Sequence, residues 1–233
     1  MDTSTTTGSA VERLFKTGAH FAQARSRRHP TMKPFILGAK ARMEIVDLAK
    51  TDEQLEAAKA VLEAMAKDGK TVMFVGGKIE VANAVRDAAK KVGQPYVAGR
   101  WLGGTLTNFV EIKKRIDRLK DLSEKRDTGA FQKQYTKLER VMLDREIKRL
   151  ATRLEGIEDL AKRPDALLIV DAKHEKHATK EANDLGIPVI AIMGSDNNLR
   201  EATYAVVAND SSRETVKYLL DELAGAFEKG RKA

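Results

Sequence analysis

Along the chain the spacing of apolar positions changes several times, and each change marks an element. Thr71 to Gly76 reads TVMFVG, an unbroken apolar run of the kind a strand shows when both its faces are buried. Four later runs share that character: PYVAG near Val97, DALLIVD over 165–171, IPVIAIM over 187–193 and YAVVA over 204–208. Helical spacing fills the gaps between them. Ile79, Ala82, Val85 and Ala89 form one stripe that ends at Gly93, a second helix ends near Leu185, and a third runs from about Ser211 to Phe227. Ahead of the first run, Leu55, Ala58, Val61, Leu62 and Met65 predict a helix capped by Asp52 and closed by Asp68-Gly69. Strands alternating with helices in this way predict an α/β fold, a parallel five-stranded sheet with helices on both faces.

Two regions depart from that rhythm. Between Asn108 and Ile157 no strand pattern occurs, and Phe109, Ile112, Ile116 and Leu119 are answered beyond Asp127-Thr128-Gly129 by Leu143, Ile147, Leu150, Leu154 and Ile157. Two helices with such seams and a short turn predict an inserted antiparallel coiled-coil hairpin, an arm about 30 Å long outside the sheet. Acid-first pairs four apart, Glu111 with Arg115, Asp121 with Lys125 and Asp144 with Lys148, each add about 0.2–0.5 kcal/mol to it. The second departure lies near the start, where PFILG and MEIVDL suit the two strands of a small hairpin. The expected division is a polar tail over 1–10, a globular domain over 11–106 and 158–228 with a basic extension at its start, the hairpin over 107–157, and a tail over 229–233.

Composition adds limits. In 233 residues, 42% hydrophobic, there is enough apolar material for a real core, yet no apolar run approaches the roughly 20 residues a membrane span needs. Cysteine is absent, which removes disulfides, thiolate nucleophiles and zinc–cysteine sites. MDTSTTTGSA lacks the basic start and apolar stretch of a secretory signal, so a cytoplasmic protein is expected.

Charge changes the picture more. The net charge is +8, and it is unevenly placed. From Arg13 to Met43 there is no acid but eight bases, and from Thr107 to Ile157 fourteen bases face nine acids. A polyanion footprint looks like this, whereas a uniformly solubilised surface mixes its signs. The stretch HFAQARSRRHPTMKPFILGAKAR interleaves Arg25, Arg27, Arg28, Lys33, Lys40 and Arg42 with His20, Phe21, His29 and Phe35, and Pro30 and Pro34 keep regular helix out. Arginine and lysine on phosphates, with aromatic faces on unpaired bases, is how folded RNA is held.

Other motifs offer less. Gly76-Gly77-Lys78, between a strand and a helix, resembles a phosphate loop, but neither the Walker nor the G-x-G-x-x-G spacing is present. It supports a rival reading, a nucleotide- or phosphate-binding α/β domain; a third reading has Lys78 on an RNA phosphate. His174 and His177 lie near Asp171 and Glu175, a weak metal pattern that more often binds nothing. No nucleophile, base and orienting group can be assembled, so neither catalytic residues nor a cofactor, metal or small-molecule substrate is expected. RWLGGTLTN, over 100–108, holds the only tryptophan. Gly103 and Gly104 permit close approach or positive φ, Thr107 or Asn108 can cap the first arm helix, Asn108 with Glu111 as in a capping box, and Trp101 can wedge between sheet and hairpin base as the arm's anchor, leaving Arg100 free for phosphate, with direct stacking of Trp101 on RNA as the alternative.

RWLGGTLTNF closely resembles the signature of the bacterial small-subunit ribosomal protein S-two family, and three more segments do so in order: GAHFAQARSRRHPTMKPFILGAKARMEIVDLAKT, FVGGKIEVANAVRDAA and PDALLIVDAKHEKHATKEANDLGIPVIAI. The resemblance covers Leu14 to Phe227. It implies a Rossmann-like, flavodoxin-like domain with the coiled-coil hairpin inserted after its second unit, without catalytic activity. It also implies binding to 16S rRNA between the head and body of the small subunit, with neighbouring ribosomal proteins, the mRNA-binding protein S-one among them, as partners. Where family members usually carry Asp-Thr-Asn and a proline, this chain has Gly194-Ser195-Asp196 and Leu199, and Val207-Ala208 replace a common Pro-Gly before Asn209-Asp210. Any ion site carried by that end of the sheet is weakened accordingly.

Overall fold

The computed structural model describes residues 4–232. Helix α1 (Ser4–Lys16) comes first, so the stretch read as a polar tail over 1–10 enters a helix at Ser4, its first three residues lying outside the described ones. Strand β1 (Phe21–Ala24) follows, then two short 3₁₀ turns over 25–27 and 30–35, β2 (Ile36–Lys40) and β3 (Met43–Val46). The prolines exclude an α-helix but suit 3₁₀ geometry, Pro30 taking the first position of its turn. β1 and β2 both pair antiparallel with β3 in a three-stranded sheet of order β1-β3-β2.

Helix α2 spans Leu48–Lys67, and its cap is Asp47, whose carboxylate accepts from the Ala49 N–H at 3.1 Å. Asp52, expected as the cap, is buried inside the helix instead. The core then builds through β4 (Val72–Val75), α3 (Ile79–Val92) and β5 (Tyr96–Val97). The arm follows as α4 (Phe109–Asp127), the five-residue α5 (Ala130–Gln134) and α6 (Lys137–Leu154), after which come β6 (Ala166–Val170), α7 (Lys176–Asp184), β7 (Val189–Met193), β8 (Tyr204–Val207) and α8 (Arg213–Lys232). The segment expected as a tail over 229–233 is, through Lys232, the last turn of α8.

The five core strands are all parallel, in the order β5-β4-β6-β7-β8. In chain order that is 2-1-3-4-5, the flavodoxin-like arrangement, with helices on both faces. Alternation along each strand divides the core in two. Phe74, Leu168, Ile190 and Val206 face α1, α2, α3 and α8, while Met73, Ile169, Ala191 and Val207 face α7, Trp101 and the arm. The second core also takes in Met32 and Val46, so the basic extension is packed onto the domain.

In the arm, Ile112, Ile116, Leu119 and Leu122 of α4 are buried with Ile147 and Leu154 of α6, and Leu143 and Leu150 are half-buried beside them. Arg118 reaches Glu146 across the two helices at 3.5 Å. The seam is continuous with the second core, so the base of the arm belongs to the domain's packing. At its tip, Gly129 closes α4 and Thr136 with Glu139 forms a capping box that opens α6. Of the expected pairs, Asp121–Lys125 forms at 2.8 Å, whereas Glu111 turns to Lys114 at 2.6 Å.

Candidate nucleic-acid interface

Register decides which cations of the extension meet. Ala24 and Lys40 both lie opposite Met43, so Arg25, Lys40 and Arg42 converge at one end of the small sheet. All three are exposed, as are Arg27 and Lys33, and none of the five has an ion-pair partner among the described residues. The loop that places Arg42 is a two-residue hairpin with Ala41 at φ 50° and Arg42 at φ 68°. Such a turn ordinarily uses Asn-Gly, and an L-residue held left-handed costs about 1–2 kcal/mol.

Three residues expected to touch RNA are engaged elsewhere. Arg28 is half-buried and donates from Nη1 to Glu44 Oε1 at 2.7 Å, neutralising an acid that is itself 3% exposed. His29 caps the second 3₁₀ turn, its Nδ1 lying 2.8 Å from Thr31 Oγ1 and accepting from the Thr31 N–H. Lys78 lies between two carboxylates, 2.6 Å from Asp171 and 3.2 Å from Asp210. The desolvation cost of those buried acids holds Arg28 and Lys78 in place, so neither is a free cation for phosphate, while His29 is occupied with its own turn and has no acid partner among the described residues.

The extension itself closes the crevice where doubly wound sheets bind ligands, beyond the carboxyl ends of the strands. Ser195, in the divergent loop after β7, accepts from the Gln23 N–H on its hydroxyl at 3.1 Å and from the His29 N–H on its carbonyl at 2.9 Å. Asn209 N–H donates to the Ala19 carbonyl at 3.1 Å, and Asn209 Nδ2 to the Gly18 carbonyl at 3.2 Å. The loops after β7 and β8 therefore latch the basic extension to the sheet.

Beneath that cover the Gly76-Gly77-Lys78 turn holds the protein's own acids. The Gly77 N–H donates to Glu175 Oε1 at 2.9 Å, and Lys78 is spent on Asp171 and Asp210. A phosphate here would have to displace three carboxylates, so the rival nucleotide-binding reading loses its anion site. His174 Nδ1 lies 2.8 Å from the same Glu175 oxygen. Among the described residues no group of three or more His, Asp or Glu side chains could hold a metal ion.

Burial and the neighbouring Asp171 push the Asp210 carboxyl up to about 6, against the pull of Lys78. For Asp171 burial also opposes ionisation, but the direct contact with Lys78 outweighs it and holds this carboxyl low. A raised folded pKa means that the Asp210 contribution is fully present below about 3.8 and is lost as pH rises through about 6, a loss of at most about 3 kcal/mol. Asp210→Asn, which mimics the protonated form while leaving Lys78 paired with Asp171, is expected to raise the melting temperature at pH 7.5 and to flatten the pH 5–7 slope. Thermal melts across that range check it; a variant less stable than the wild type at pH 7.5 would refute the assignment.

At the arm's base the organising group is Glu181 of α7, which sequence reasoning missed. Its Oε1 accepts from Trp101 Nε1 at 3.1 Å and from the Gly104 N–H at 2.8 Å. Its Oε2 accepts from the Leu106 N–H at 3.0 Å and from the N–H and hydroxyl of Thr107 at 3.2 Å each. Burial works against this carboxylate, but the donors together hold it below the usual range. Trp101 is buried in the second core beside Leu106. Gly104 has φ 89°, which a side chain would resist, while a Cβ on the exposed Gly103 would meet nothing. Asn108 precedes α4 without a side-chain cap bond, so the capping box expected with Glu111 does not form. Glu181, from another element, satisfies instead the N–H groups of Gly104, Leu106 and Thr107 in the loop ahead of the helix. Arg100, the residue before this loop, stands exposed without an ion-pair partner among the described residues, on the side of the sheet where β5 ends.

Residues 14–230 match the family model described as ribosomal protein S2. The chain belongs to the ribosomal protein S2 family. It is 38% identical over 222 residues to the small ribosomal subunit protein uS2 of Coprothermobacter proteolyticus, covering 95% of this chain and 82% of that one. Against uS2 of Nitratiruptor sp. it is 40% identical, covering 94% and 81% respectively, and against uS2 of Dictyoglomus thermophilum 38%, covering 95% and 89%. The S2 family is one of ribosomal proteins of the small subunit, not of enzymes.

Proposed function

We propose that this S2-family chain binds 16S rRNA through the cation cluster of its basic extension and, through its arm, neighbouring small-subunit proteins, the mRNA-binding protein S-one among them. The observation that carries the reading is the convergence of Arg25, Lys40 and Arg42 at one end of the small sheet, exposed and without acid partners among the described residues. Arg27 and Lys33 of the same extension add to the positive charge, and Arg100, exposed after β5, is a separate cation for phosphate. The core and the Ser195 latch hold that surface on a rigid scaffold, so little ordering entropy is lost when a polyanion binds. On the arm, Leu138, Val141 and Met142 occupy one exposed turn of α6, an apolar stripe of the size a protein neighbour covers.

Charge reversal tests the reading directly. Arg25→Glu, Lys40→Glu and Arg42→Glu together are expected to weaken binding to a 16S rRNA fragment by at least about tenfold and to reduce the slope of log K against log salt by about two, since each lost phosphate contact removes roughly 0.7–0.9 of slope. The substituted side chains are exposed, so the thermal melt should be unchanged. Loss of co-sedimentation with small subunits on a sucrose gradient is the expected companion result. An unchanged affinity and slope would refute the assignment.

A further inference from the structure

The sequence set His20 and Phe21 among the bases of the extension as aromatic faces and gave Phe15 no role, and the structure brings the three rings together. Phe15 and His20 stack at 4.3 Å between centroids and 10° between planes, and His20 meets Phe21 at 4.0 Å and 39°. The turn between α1 and β1 makes this possible. Gly18 at φ 78° carries the chain past the helix end, with the Ala19 N–H returning to the Leu14 carbonyl at 3.2 Å and the Gly18 N–H to Phe15 at 3.0 Å.

A phenyl ring that ends a helix on a core normally turns inward, yet Phe15 is 59% and Phe21 45% exposed, so the outer faces of the stack stand in water. Burial lowers the pKa of the His20 imidazole, which favours a neutral ring between the two phenyls. The stack walls one side of a groove of about 710 Å³, and Leu37, Lys40 and Met43 of the small hairpin line the opposite side. Lys40 in this groove belongs to the same cation cluster as Arg25 and Arg42.

We infer that the Phe15–His20–Phe21 stack is a platform for an unpaired nucleobase of RNA, with Lys40 set for the attached phosphate. Three observations point to a nucleotide as occupant. The Phe15 and His20 planes, 10° apart, are parallel enough for a base to continue the stack, the groove is the size of a nucleotide site, and Lys40 makes its rim positive at the hairpin tip, with Asp47 the one acid in its lining. This inference rests on the RNA-binding reading above and adds to it a stacking contact that charge alone does not supply.

The test uses a single-stranded RNA of about ten nucleotides containing 2-aminopurine, whose fluorescence is quenched when it stacks. Wild-type protein is expected to quench it. Phe15→Leu is expected to weaken binding by about five-fold or more, to abolish the quenching and to leave the salt slope unchanged, because one stacked base accounts for about 1–3 kcal/mol. Phe15→Tyr, which keeps the ring, should quench as the wild type does. Quenching that survives Phe15→Leu, or RNA bound by the wild type without quenching, would overturn the platform, as would a groove that only another small-subunit protein occupies. Reversal of Arg25 and Arg42 alone, which lie outside the groove lining, separates the two readings: if it leaves affinity and salt slope intact the electrostatic reading fails, whatever the quenching shows.

Discussion

Lys78→Met is expected to lower the stability of the protein by about 3–5 kcal/mol at pH 7.5, the usual cost of removing one partner from a buried ion cluster. Asp171 and Asp210 would then share a buried site with no cation between them; in the native protein they lie 2.6 Å and 3.2 Å from the lysine nitrogen. At this chain length that corresponds to a fall in melting temperature of roughly 6–20 °C. The pH response gives the sharper signature. Without the ammonium both carboxyls titrate above their unfolded value, so the folded state gains protons as pH falls and the deficit shrinks toward pH 5. A lysine that contacted RNA and had no internal role would give the opposite pair of results: an unchanged melt and weaker RNA binding. Thermal melts of Lys78→Met at pH 5 and 7.5 therefore separate counterion from ligand contact.

Glu181→Ala is expected to have an effect of similar size, about 3–5 kcal/mol, with a different consequence. The substitution strands the Trp101 indole N–H and the backbone N–H groups of Gly104, Leu106 and Thr107, which have no other acceptor among the described residues. Each unsatisfied buried donor costs about 1–3 kcal/mol, reduced here where Thr107 reaches water. Because these donors lie in the loop that enters α4, the damage should fall on the arm. Hydrogen exchange in residues 101–112 is expected to accelerate far more than in β6 or β7, and the tryptophan emission should shift to the red as the indole takes up water. Glu181→Gln, which keeps an acceptor oxygen but not the charge, should lose about half as much. Equal acceleration across the whole chain would mean that Glu181 does not act on the arm in particular.

How much of this could be read in one dimension depended on the range of the interaction. The apolar runs at 71–76, 165–171 and 187–193 disclosed buried parallel strands because burial on both faces leaves no polar positions in a strand. The arm was legible for a similar reason, since its seam repeats every three or four residues whatever it packs against. Errors appeared where a side chain chose between local and distant partners. Asp52 looks like a cap but Asp47 is one, and Asn108 with Glu111 has capping-box spacing while Glu181, more than seventy residues on, holds the loop. The signal for Glu181 lay in the GGTLT stretch itself, whose run of free N–H groups beside an indole demands an acceptor without naming it.

Basic residues show the same division. That positive charge gathers before Met43 and in the arm, that the core is a parallel α/β sheet, and that the four motifs belong together could be read from the residues, because composition, periodicity and motif order need no contacts. That Arg28 and Lys78 serve buried acids while Arg25, Lys40 and Arg42 have no acid partner among the described residues, and that Phe15 and Phe21 share one histidine, came from the folded chain. Strand register and the chain reversal at Gly18 set those choices. Buried carboxylates claim whichever cation the fold brings within reach, and the sequence does not record which acids will be buried.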